Sequence, residues 1–146
     1  NIPSILYYAG IKRCRVLQIY SMSEKQSKMW KMYHIPERLL KWYEGMKYDK
    51  TRPVLVICDN SALLGNKCLV VELSTHDYGN PHRIEWFKYF SKLHQRWLTN
   101  YIVPDKIHTI NRDYLTNDCE THNKGNTSLS KEIKDKIYNF IRMLLK

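Results

Sequence analysis

The strongest hydrophobic signal in the chain is an unbroken block. Pro53-Val-Leu-Val-Ile57 places five apolar residues in succession, mostly β-branched and without charge. Such a run predicts a strand buried on both faces, and proline suits its first position, which need not donate to a ladder. A turn through Asp59, Asn60 and Gly65-Asn66 leads to a second apolar run, Cys68-Leu-Val-Val-Glu-Leu73. The pair reads as an antiparallel hairpin. Ser74, Thr75 and His76 close the second strand, and Asp77-Tyr-Gly-Asn-Pro81 carries turn chemistry.

Elsewhere the periods are shorter. Ile11 to Tyr20 alternates Val16, Gln18 and Tyr20 against Leu17 and Ile19, which predicts a strand. Ser23-Glu-Lys-Gln26 forms a capping box that opens a helix ending before Pro36. Pro36 then starts a second short helix bearing Leu39, Leu40 and Tyr43, with Gly45 beyond its end. Met29, Trp30, Met32 and Trp42 are expected to pack this segment onto the domain. His82 to Trp97 fits two templates: Trp86, Phe90, Leu93 and Trp97 share a helical face, whereas Ile84 and Trp86 also fit a strand. Asn100 to Ile110 is β-rich, with Pro104 marking an edge or a bulge. Thr116 to Asn126 reads as polar loop. From Ser128 or Ser130 onward, Ile133, Ile137, Phe140, Ile141 and Leu144 repeat at helical spacing, predicting an amphipathic C-terminal helix.

These elements predict one domain over residues 1–146, mainly β with appended helices (α+β): a small barrel or curled sheet. No apolar run approaches the ~18 residues of a membrane span, and Asn1 to Gly10 lacks the pattern of a secretion signal. A cytoplasmic protein is expected. The formal charge of +10 favours a polyanionic partner, nucleic acid first and anionic membrane second. Eleven tyrosines and four tryptophans supply faces on which unpaired bases stack, although aromatics also build cores. Cys14, Cys58, Cys68 and Cys119 form no Cys-x-x-Cys pair, so they read as free or buried thiols and no metal site is expected.

Candidate chemistry centres on Arg52, just before the apolar block. A guanidinium at the edge of a rigid sheet meets phosphate oxygens bidentately; the plain alternative is a solvated charge at a strand end. Taken in order, the segments resemble the MazF/PemK family of toxin endoribonucleases. Lys12-Arg13-Cys14-Arg15-Val16 stands where that family has Lys-Arg-Gly-Asp-hydrophobic. Arg52-Pro53-Val54-Leu55-Val56-Ile57 matches its Arg-Pro strand, and Leu73-Ser74-Thr75 its strand end. Asp105-Lys-Ile-His-Thr-Ile110 stands for Asp-Gln-Ile-Arg-Thr-Ile, and Leu129-Ser130 for the opening of its last helix.

The resemblance implies an SH3-like, PemK-type β-barrel, a homodimer, an inhibitory antitoxin, and cleavage of single-stranded RNA without metal or other cofactor. In that chemistry the substrate's 2′-hydroxyl attacks the phosphate and leaves a 2′,3′-cyclic phosphate. It implies that Arg52 clamps the phosphate and protonates the leaving oxygen, that Ser74 or Thr75 hydrogen-bonds it, and that Asp105 is a base or RNA contact. His108, where the family has arginine, is a candidate for proton transfer; its bland reading is a structural strand histidine. Lys12, Arg13, Arg15 and Lys50 are candidate RNA contacts, or simply solvated charges. The chain departs from the family at Cys14-Arg15, at Val103, where some members carry arginine, and in a helical insert over about 21–46 that borders the expected groove. Two other readings compete: the same fold binding nucleic acid without catalysis, and a gyrase-directed poison like the CcdB toxins, which share the fold.

Overall fold

The computed structural model describes residues 27–40, 50–116 and 129–145. Five strands, β1 Met32–Pro36, β2 Thr51–Cys58, β3 Lys67–Ser74, β4 Ile84–Ser91 and β5 Arg96–Asn111, form one antiparallel sheet in the order β1-β2-β3-β5-β4. A one-turn helix, Ser61–Leu64, links β2 to β3, capped by the Asn60 side chain, which accepts from the Ala62 N–H. The C-terminal helix spans Lys131–Leu144, and its cap is Ser130, whose Oγ accepts from the Ile133 N–H at 3.2 Å.

The centre of the sheet is buried on both faces because Val54 to Ile57 of β2 and Cys68 to Val71 of β3 are unbroken apolar runs. Along β2, Leu55 and Ile57 join Val71, Leu73, Ile84 and Ile102 beneath the C-terminal helix, where Ile137 is fully buried. The intervening Val54 and Val56 face the other way and pack with Tyr33, Ile35, Val70 and Ile110. This two-faced burial is what the Pro53–Ile57 block predicts. The β2–β3 hairpin and the C-terminal helix also form where expected.

Two expectations need correction, and one open alternative is decided. The insert over 21–46 is not helical where it is described: Met32–Pro36 is a strand, and after Pro36 only a 3-10 turn, Glu37–Leu39, follows. Pairing of β1 with β2, with Tyr33 and Ile35 sunk into one core and Met32 into the other, sets the strand here; the Ser23–Gln26 capping box and residues 41–46 lie outside the described residues. Trp30 does pack onto the domain, against the other core residues. Second, of the two templates that His82 to Trp97 fits, the strand is the one formed: the segment is β4 and the start of β5, with Phe90 opposite Trp97. Third, the described strands do not close into a barrel: β1 pairs with β2 alone and β4 with β5 alone. The expected strand at Ile11–Tyr20 lies outside the described residues. Among the described residues, no helix is long and apolar enough to cross a membrane.

Two irregularities shape one end of the sheet. Between the pairs Val71–Ile107 and Glu72–Val103, β5 carries three extra residues, Pro104 to Lys106. Proline has no N–H for the ladder, so Pro104 marks the bulge it occupies. Beyond β3, the Asp77 side chain accepts from the Gly79 N–H at 3.1 Å, and Gly79 at φ 70° closes the tight turn.

Candidate functional site

That end of the sheet holds a pocket of about 690 Å³, within the range that accommodates small-molecule ligands. Its wall is built from the start of β2, the end of β3, the turn that follows, the middle of β4 and the β5 bulge. Arg52, Ser74 and Thr75 all line it. Residues 22 positions apart in sequence meet there because β2 and β3 are antiparallel, so the beginning of one lies beside the end of the other.

The pocket is cationic. Arg52, Arg83, Lys88 and Lys106 line it against one carboxylate, Glu72. The β5 bulge brings Lys106 to the wall while leaving Asp105 exposed and off it. Arg52 is oriented by Glu37, whose Oε1 accepts from Arg52 Nε at 2.9 Å. The Glu37 N–H is fixed in turn by the Lys50 carbonyl at 2.8 Å. Glu37 is buried, and its other oxygen has no hydrogen-bond partner, so the guanidinium is the group that compensates this charge.

Ser74 and Thr75 are tied into the turn. Ser74 Oγ accepts from the His76 N–H at 3.1 Å, and Thr75 Oγ1 lies 3.3 Å from His76 Nδ1. Tyr89, also on the wall, has its phenol pushed upward by burial, so it stays a neutral hydroxyl able to donate. Asn100 and Met32 form part of the same wall, in contact through Nδ2 and Sδ at 3.8 Å.

His108 is elsewhere. Its Nε2 lies 2.7 Å from Glu72 Oε2, and both side chains are buried, at 8% and 4% exposure. Glu72 reaches the pocket and His108 does not line it. Lys50 is exposed at the head of β2 and off the wall. Lys12, Arg13 and Arg15 lie outside the described residues.

Sequence reasoning missed His34, Glu37, Glu72, Arg83, Lys88 and Lys106. One of them was signalled: Glu72 is the single charge in the Cys68–Leu73 run, and a carboxylate inside an apolar strand needs a buried partner. Nothing local marks Glu37, which acquires its role by pairing across 15 residues.

The opposite end of the sheet is held by a different cluster. Asp59, 1% exposed, accepts from the Lys28 N–H at 2.7 Å, from Cys68 Sγ at 3.2 Å, and from the Arg112 guanidinium. Burial, then the Asp59 hydrogen bond and charge, push the Cys68 thiol up to about 12. Cys68 is therefore an inert structural thiol. Cys58 is half-buried and also free. Among the described residues, no three His, Cys, Asp or Glu side chains gather as a metal site.

Compared with known proteins, the sequence matches no family model and no curated protein.

Proposed function

We propose that this pocket binds single-stranded RNA and cleaves it by internal attack of the ribose 2′-hydroxyl. The observation that carries the reading is the convergence of Arg52, Ser74 and Thr75 on one cationic wall. An internal nucleophile asks little of a protein: a proton must leave the 2′-oxygen, another must reach the departing 5′-oxygen, and charge on the phosphorane-like transition state must be stabilised.

Arg52, held by Glu37, supplies the positive charge at the phosphate. Ser74 and Thr75 offer hydroxyls to its oxygens, and Lys106 adds a second cation from the bulge. His34, on β1 opposite Pro53, brings an imidazole to the same wall for proton transfer. Asp105 and His108 take no part in this reading, since neither lines the pocket. A homodimer and an inhibitory partner protein belong to the proposal, as does an SH3-like barrel, which would need a further strand such as Ile11–Tyr20.

The second reading is a nucleic-acid-binding module without catalysis. It is favoured by the Glu37 carboxylate already held by Arg52, which leaves less cationic character for a transition state. Incubating RNA with the protein in a chelator separates the two: the first reading requires cleavage, and the second requires salt-dependent binding with the RNA left whole.

A further inference from the structure

Tyr78 is a large aromatic residue that the core does not use. It is 77% exposed, yet it borders the pocket beside Ser74 and Thr75. Its backbone sits at φ 50°, a conformation that costs a non-glycine residue free energy. The ring is held in place nonetheless. His76 stacks on it, with centroids 5.2 Å apart and planes 15° from parallel. The Arg83 guanidinium carbon lies 5.1 Å from the ring centroid, and its Nη1 donates to the His76 carbonyl, tying the two ends of the turn together. Arg83 Nε is buried without a hydrogen-bond partner, so its position follows from the ring and the carbonyl.

We propose that the Tyr78–His76 stack is a base-binding subsite at the mouth of the pocket. It takes one unpaired nucleobase of the strand whose phosphate lies at Arg52. This rests on the nucleic-acid reading above and adds to it a residue and a mode of recognition. The chemistry fits: every base has a π face, and stacking on an aromatic side chain is sequence-tolerant. A ring already fixed by two neighbours loses little freedom when a base lands on it. A paired base inside a duplex cannot reach this plane, so the subsite selects unpaired strands.

The test is an anisotropy titration of a fluorescent single-stranded RNA of about ten nucleotides and of a matched abasic ribose-phosphate oligomer. Wild type, Tyr78→Phe and Tyr78→Ala are compared at several salt concentrations. Tyr78→Ala should weaken binding of the base-bearing RNA about 5- to 150-fold, which corresponds to the ~1–3 kcal/mol per stacked base. Its affinity for the abasic oligomer and its salt slope should not change, because no charge is lost. Tyr78→Phe should behave as wild type. If wild type binds RNA and Tyr78→Ala binds it equally well, the subsite is wrong while the nucleic-acid reading stands. If wild type binds neither oligomer, the nucleic-acid reading itself fails. The exposure of Tyr78 means the alanine variant should fold normally, which a urea titration checks.

Discussion

Replacing Arg52 with alanine should destabilise the fold as well as abolish function, and the two effects are separable. Glu37 is 6% exposed on its side chain, and Arg52 Nε at 2.9 Å is its charged donor, while Oε2 has none. Removing the guanidinium leaves a buried carboxylate uncompensated. Breaking a fully buried pair costs about 3–5 kcal/mol, and a hydrogen bond to a charged group contributes about 1.5–3 kcal/mol. Arg52 is 37% exposed, so water already screens part of the interaction. The expected cost of Arg52→Ala is therefore about 2–3 kcal/mol. Glu37→Gln removes the charge but keeps an acceptor, and should cost about 1–2 kcal/mol. With both substitutions no charge is stranded, so the double variant should cost about 2 kcal/mol rather than the sum, a coupling of roughly 1–3 kcal/mol. Urea unfolding followed by tryptophan fluorescence reads this directly. Arg52→Ala should lower the midpoint by roughly 1–2 M at unchanged slope. Strict additivity, or an Arg52→Ala protein as stable as wild type, would refute the assigned role of Glu37. The practical consequence is that Arg52→Lys, which keeps a cation beside Glu37, is the cleaner probe of activity.

Other outcomes follow from the same geometry. Asp59→Ala removes the buried acceptor shared by the Lys28 N–H, Cys68 Sγ and the Arg112 guanidinium, and should cost about 2–4 kcal/mol in chemical unfolding. Ile137→Ala, beneath the sheet at zero exposure, should cost about 2–5 kcal/mol by the same measurement. Cys68 should resist maleimide at about pH 8 until the protein is unfolded. Its folded value, about 12, lies above the ordinary 9.0. The folded state therefore holds the proton more tightly, and this contribution to stability is present below pH 9.0 and lost as pH rises towards 12. Lys106→Ala should weaken RNA binding and reduce the slope of log affinity against log salt by about one.

What the sequence reveals depends on whether a signal is local. The Pro53–Ile57 block, the Cys68–Leu73 run and the Ser130-capped helix carry their own evidence, because burial on two faces, or on one helical stripe, is written into consecutive residues. Pro104 narrows its position to an edge or a bulge for the same reason, and the bulge is what forms. β1 is hidden because Ser23–Gln26 and Pro36 offer helix boundaries, while the alternation of Tyr33 and Ile35 on one face, with Met32 on the other, is short and gains meaning only when β2 lies alongside. The candidate site was half legible. Arg52, Ser74 and Thr75 stand at strand ends, where polar residues beside apolar runs attract attention. Lys106 reaches the pocket only through the bulge, and Arg83 only through a turn that folds back on His76. His108 looked available from its place in the strand, but its cross-strand partner Glu72 occupies it.

Whether the pocket cleaves RNA through the 2′-hydroxyl is decided by mapping product ends. An end-labelled, unstructured RNA is incubated in a chelator with wild type and with Arg52→Lys, each first shown to be folded. Wild type should give discrete cuts ending in 2′,3′-cyclic phosphates, strongly reduced with the variant. RNA left intact by folded wild type, or cut equally by both proteins, would contradict the proposed cleavage.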